Sequence, residues 1–258
     1  MAREPYGPVR AFKLTVAYDG TAYAGWQRQP NVDTVQARIE TALGEIEGRD
    51  VTLHGAGRTD AGVHALGQVA SIQIRRPIEG SRLLRALNAK LPGDIRVLRV
   101  ETAPDSFHAR YGARRKSYRY RINHAPVANP MERRFSWHVP VSLDMAEMNR
   151  AGAVLIGSHD FAAFQTASKA AAVSSTVRTI FDLRIRPEGD GMIALDVTGD
   201  GFLRYMVRTM VGTLVEVGRD LKPADEMAGI LASLARDRAG PTAPPQGLFL
   251  VSVDYLDA

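Results

Sequence analysis

Early in the chain Phe12, Leu14, Val16 and Tyr18 alternate with Lys13, Thr15, Ala17 and Asp19. A period of two puts the first set on one face, which predicts a half-buried strand ended by Asp19-Gly20. Val35, Ile39, Leu43 and Ile46 then recur at helical spacing, with Asp33 in the N-cap position and Gln36 in the capping-box position. Further on, the pattern predicts a strand from about Val51 into a turn at Gly57, a strand from about Gln68 to Ile74, a helix from Ser81 through about Lys90, and a strand from about Ile95 to Val100.

Strand, helix, strand, strand, helix, strand is the order of the ferredoxin-like split β-α-β unit, a layer of helices on one face of a mainly antiparallel sheet. RNA-recognition motifs share that layout and bind bases on the open face. From about Ala113 the same grammar returns with insertions. Tyr118, Tyr120 and Ile122 alternate with Arg119 and Arg121, and Leu143 to Ile156 is helix-like. Phe181, Leu183 and Ile185 alternate with Asp182, Arg184 and Arg186, a turn follows at Glu188 to Gly191, and Ile193, Leu195 and Val197 share a face on the next strand. A strongly apolar helix is expected over about Phe202 to Val217, another over Ala224 to Ala235, and a closing strand over Leu248 to Tyr255. The expected fold is therefore α+β: two ferredoxin/RRM-like βαββαβ halves, residues 1–110 and 111–258, with an active-site cleft between them.

Composition narrows the class. At 258 residues, 45% hydrophobic and 24% charged, the chain is globular in character and long enough to bury a sizeable core. It carries no apolar run of membrane-spanning length and starts without an apolar signal-type stretch, so the expected location is the cytoplasm. The absence of cysteine excludes disulfides and thiol catalysis.

A net charge of +5 favours an anionic partner. Arg110, Arg114, Arg115, Lys116, Arg119 and Arg121 follow one another with no acidic residue among them, and Tyr111, Tyr118 and Tyr120 are interleaved. Cations neutralise phosphates and aromatic faces stack on unpaired bases. A solvated charged face is the plainer alternative.

Gly57-Arg58-Thr59-Asp60-Ala61-Gly62-Val63-His64-Ala65 is the segment best suited to chemistry. Gly55, Gly57 and Gly62 let the backbone bend or approach a ligand. Asp60 is a candidate nucleophile, base or metal ligand, and Arg58 beside it favours the ionised carboxylate. The glycine spacing matches neither a dinucleotide fingerprint nor a phosphate loop. His54, Asp60 and His64 lack the partners of a familiar zinc set, so no metal is expected. An Asx-type turn is the purely structural role for Asp60. Elsewhere, the polar stretch from Gln165 to Thr176, with Lys169 inside it, reads as a loop that either touches RNA or is plain surface. Arg204 and Arg208 lie four apart in the expected apolar helix and so share a face. A buried guanidinium needs an anion there, either Asp60 or another carboxylate.

The nine-residue turn resembles the catalytic motif of the tRNA pseudouridine synthase A family. So do Tyr18-Asp19-Gly20-Thr21, Gly25-Trp26-Gln27-Arg28-Gln29, Thr34-Val35-Gln36, Phe107-His108-Ala109-Arg110, Lys116-Ser117-Tyr118-Arg119-Tyr120, Gly157-Ser158-His159-Asp160-Phe161, Met206-Val207-Arg208, and Pro241-Thr242-Ala243-Pro244 with Gly247-Leu248. The resemblance implies isomerisation of uridine at positions 38 to 40 of the tRNA anticodon arm, without a cofactor, by a homodimer. It implies Asp60 as the catalytic aspartate, Tyr118 as the ring packing on the target uracil, Arg208 as the partner keeping Asp60 ionised, Leu248 as pocket wall, and Arg58 as the arginine near the flipped target. The alternatives are a noncatalytic RNA-binding module and, less suited to a turn with one carboxylate, a glycoside-type hydrolase.

Overall fold

A computed structural model describes residues 7–166 and 175–255; the expected loop residue Lys169 lies outside them. The chain divides into two compact units, Met1–Arg114 with Leu250–Ala258, and Arg115–Phe249.

The first unit contains β1 (Arg10–Tyr18), α1 (Val35–Glu47), β2 (His54–Gly55), β3 (His64–Ile74), α2 (Gly80–Lys90) and β4 (Ile95–Ala103). β1 lies between β4 and β3, antiparallel to both. β2 pairs antiparallel with β3, His54 opposite Ser71 and Gly55 opposite Ala70. The split β-α-β order is therefore present, but the strand expected from Val51 into the turn shrinks to two residues. Val51 and Leu53 are buried nonetheless, so the apolar spacing there reports packing under α1 rather than a long ladder. Phe12, Leu14 and Val16 are fully buried, each removing apolar surface worth about 1.5–3 kcal/mol.

α1 corrects one capping assignment. Its N-cap is Thr34, whose side chain accepts from the Ala37 N–H; Asp33 instead pairs with Arg38 at 2.5 Å. Gln36 does not reach back to the cap. Its side chain is buried and serves a different network, described below.

The second unit holds β5 (Ala113–Asn123), whose first two residues belong to the first unit, then β6 (Trp137–His138), α3 (Met145–Ala153), β7 (Gly157–Asp160), β8 (Val177–Gly189), β9 (Met192–Gly199), α4 (Met206–Gly218) and α5 (Glu226–Ser233). Its main strands run in the order β5-β9-β8-β7, each antiparallel to the next, and the two-residue β6 pairs parallel with the end of β5. β8 carries a bulge between Ile180 and Asp182. The extra residue is Phe181, which is turned outward at 42% exposure while Ile180 takes the buried place; a bulge resets the period of two. β10 (Leu248–Tyr255) begins in the second unit and ends in the first, beside β3. The second half expected at 111–258 thus loses its last strand to the first unit. Among the described residues no helix is long and apolar enough to cross a membrane.

Candidate active site

Asp60 lies on the connection between β2 and β3, and that connection is anchored along its length. The buried Tyr18 hydroxyl and the Thr59 hydroxyl are 2.8 Å apart. The Thr59 carbonyl accepts from the Trp26 N–H at 3.1 Å, and the Asp60 carbonyl accepts from the Val63 N–H at 3.1 Å. Gln68 donates to the Gly57 carbonyl at 2.9 Å. Gly62 closes the turn at φ +77°, where a side chain would be strained. Beyond it, Nδ1 of the buried His64 lies 3.0 Å from the Gly20 nitrogen and 3.2 Å from Asp19 Oδ1, which ties the end of the turn to the end of β1.

The clamp on Thr59 is the part that the linear pattern hid. Tyr18 reads as the last inward residue of a strand, and it is that; burial also pushes its pKa up, so the hydroxyl stays protonated. Asp60 itself is half-buried on this fixed backbone, a carboxylate presented by a rigid turn. Arg58 is exposed and donates from Nε to Gln27 Oε1 at 2.9 Å.

The remaining expected site residues belong to the second unit. Tyr118 is buried on β5 opposite Val197, with its ring edge-on to Phe202 at 5.1 Å. Arg208 lies in the first turn of α4, donates from Nε to the Ala243 carbonyl at 2.7 Å and sits 5.0 Å above the Tyr205 ring. Tyr120, two residues from Tyr118 and on the same face, donates to the Pro244 carbonyl at 2.7 Å. The segment 243–244 therefore ties the arginine to the tyrosine strand within this unit. Leu248 is buried at the start of β10, next to Gly247, whose backbone packs on the Tyr120 ring.

Arg204 does not share a helical face with Arg208, because α4 starts only at Met206. The two nevertheless meet at Tyr205. That residue takes the left-handed conformation at φ 62° just before the helix, and Arg204 stacks on its ring at 4.8 Å while Arg208 stacks at 5.0 Å.

The basic segment resolves into two groups. Arg110 and Arg114, in the first unit, and Arg115 are exposed; Arg110 lies 5.9 Å from the Tyr111 ring centre, and Arg115 lies 5.0 Å from that of Phe181. Lys116 is half-buried on β5 opposite Gly199. Arg119 and Arg121 are different. Arg119 makes a two-point contact with Asp196 at 2.6 and 3.2 Å, and Arg121 reaches Glu132 at 2.8 Å and Glu188 at 3.0 Å. The Asp196 hydrogen bond holds the Arg119 pKa above its ordinary value. Two of the six cations in a run without acids in sequence are thus paired with acids from β9, the β8 end and the 130–134 turn.

Comparison with known proteins agrees with this assembly of motifs. The family model described as tRNA pseudouridine synthase matches residues 14–112 and 151–256. A tRNA pseudouridine synthase A from Syntrophotalea carbinolica is 47% identical over 243 residues, 94% of this chain and 95% of that protein. Proteins of the same name from Ruminiclostridium cellulolyticum (45%, covering 96% of this chain and 100% of the relative) and Moorella thermoacetica (48%, covering 94% and 98%) are similar over nearly the whole length. Fold and comparisons together define an RNA-modifying isomerase that acts on uridine in tRNA. The chain belongs to the tRNA pseudouridine synthase family.

Proposed function

We propose that this enzyme converts uridine to pseudouridine at positions 38 to 40 of the tRNA anticodon arm and that Asp60 is its catalytic aspartate. The reaction breaks the C1′–N1 bond and forms a C1′–C5 bond, an isomerisation with no net redox change or hydrolysis. A positioned carboxylate supplies what it needs, by adding to the base or by assisting its departure from the sugar. The observation that carries this reading is Asp60 itself, half-buried on a turn anchored by Tyr18, Trp26 and Gln68.

The target base must leave its stack to be reached. In this reading Arg58 fills the vacated space, the Tyr118 ring holds the uracil, Leu248 forms pocket wall, and Arg208 keeps Asp60 ionised. Exposed Arg110, Arg114 and Arg115, with Lys116, contact the RNA backbone. The enzyme works in the cytoplasm as a homodimer.

The test is site-resolved pseudouridine mapping on an unmodified tRNA transcript, with free uracil measured in parallel. Asp60→Asn is expected to abolish product while tRNA affinity stays within a few fold. Near wild-type turnover by Asp60→Asn refutes the assignment. Tight binding by the wild type without product supports the binding module, and free uracil supports a hydrolase.

A further inference from the structure

Arg58 is a long, exposed side chain, and an arginine gives up much rotamer freedom when it is held in one place. Something must select its orientation. Its Nε donates to Gln27 Oε1 at 2.9 Å, and the question becomes why the Gln27 amide presents oxygen there rather than nitrogen.

The answer lies two residues deeper. Glu40, on α1, is 8% exposed and accepts only: Oε1 takes the Leu53 N–H at 3.1 Å and the Gln36 amide at 2.9 Å, and Oε2 takes Arg28 at 3.0 Å. Gln36 is 7% exposed. Its nitrogen faces Glu40 Oε1 and the Leu53 carbonyl at 3.1 Å, two groups with no proton to give. The Gln36 amide is therefore fixed with its oxygen on the other side, where it accepts from the Arg28 N–H at 3.0 Å and from Gln27 Nε2 at 2.8 Å. That fixes Gln27 in turn: its nitrogen is committed to Gln36, and its oxygen is left for Arg58. Reversing the Gln36 amide would set oxygen against oxygen in a buried place, at a desolvation cost with no return, and reversing the Gln27 amide would set oxygen against oxygen in its part-buried contact with Gln36 and nitrogen against nitrogen at Arg58.

We propose that Glu40, Gln36 and Gln27 form a polarised relay that positions Arg58 for the reaction, with Gln27 as the positioning residue in direct contact. The proposal rests on the reading of Arg58 as the residue that takes the place of the flipped nucleotide. The relay starts from a carboxylate on α1 and ends at a guanidinium on the catalytic turn, so it sets the arginine relative to a helix as well as to its own turn. Gln27 touches no reacting atom in this scheme; it acts through Arg58.

The experiment is a double-mutant cycle between positions 27 and 58. Gln27→Met removes both amide bonds at similar size. Gln27→Asn keeps an amide but, one methylene shorter, cannot reach both Gln36 and Arg58. Each is made in the wild-type and Arg58→Ala backgrounds, and single-turnover pseudouridine formation at saturating tRNA is measured beside tRNA affinity and melting temperature. Both substitutions are expected to slow the wild-type rate roughly tenfold or more, as loss of a hydrogen bond to a charged group does, with affinity changed only a few fold. In the Arg58→Ala background neither slows it further. Equal slowing in both backgrounds overturns the relay, because Gln27 then acts without Arg58. A Gln27→Asn enzyme at wild-type rate overturns it as well. Arg58→Ala at wild-type rate overturns the assigned role of Arg58 and the relay with it, whereas a slow Arg58→Ala beside an unaffected Gln27→Met overturns the relay alone.

Discussion

Gly25→Ala tests whether the backbone of the Asp60 turn has any slack. Gly25 has φ +97°, and a β-carbon there would stand 2.5 Å from the Thr59 carbonyl oxygen, 3.1 Å from the Ala61 nitrogen and 3.1 Å from the Asp60 carbonyl carbon. All three neighbours are backbone, so no rotamer change relieves the overlap. Nor is residue 25 free to retreat, since its carbonyl accepts the Val35 N–H at 3.2 Å while the next residue, Trp26, donates to Thr59. Restoring ordinary contact at 3.4 Å requires about 0.9 Å of movement, and Thr59-Asp60 must supply it. A left-handed conformation costs a residue with a β-carbon about 1–2 kcal/mol, and overpacking adds about 1–3 kcal/mol. The sum, about 2–5 kcal/mol, corresponds to roughly 4–20 °C in melting temperature for a chain of this size. A displacement near 1 Å at a reacting group costs on the order of a hundredfold in rate. Single-turnover pseudouridine formation well below the variant's melting temperature, with saturating tRNA, separates the two effects. Gly93→Ala is the control, because nothing lies within 4 Å of its β-carbon position. A Gly25→Ala enzyme with wild-type rate and stability would refute the claim that this turn is rigidly placed.

Two further expectations come from the charge pairing and from helix chemistry. Arg115→Gln should lower the slope of log affinity for tRNA against log salt by roughly 0.7–0.9, whereas Arg119→Gln, already engaged by Asp196, should leave the slope unchanged and lower the melting temperature; equal slope changes would contradict the division of the basic segment. Gly229→Ala, in the interior of α5 with nothing within 4 Å of the added carbon, should stabilise the protein by about 0.5–1 kcal/mol, read from the denaturation midpoint, and a loss of stability would count against the open space there.

The strands buried on one face were legible from the chain because alternation is a direct record of burial; β1 follows it from Phe12 to Tyr18 and β5 from Tyr118 to Ile122. Legibility failed where a partner outside the local alternation decides the outcome. Phe181 looks as apolar as Ile180, and only the register with β9 shows which of them the bulge ejects. Asp33 and Thr34 are both good caps, and Arg38, one turn into the helix, draws Asp33 away. Arg119 and Arg121 looked unbalanced because their acids lie outside the run, Glu132 in a later turn and Glu188 and Asp196 far along the chain. At the site, the Asp60 motif was plain in nine consecutive residues, but the Tyr18 and Gln27 contacts that hold it come from segments more than thirty positions earlier.

The fate of β10 bears on how the protein is made. Tyr255 donates to the Ala109 carbonyl at 2.7 Å, and Gly67 packs against the Val251 carbonyl without room for a β-carbon. The unit that carries Asp60 is therefore discontinuous: an edge of its sheet waits for residues synthesised after the whole second unit. Until those arrive, β3 offers bare backbone along that edge, the kind of surface that invites pairing with another chain. Closing it demands contacts between residues nearly two hundred positions apart, so the unit that carries Asp60 is completed only after the whole second unit has been made, and its assembly is slow in kind.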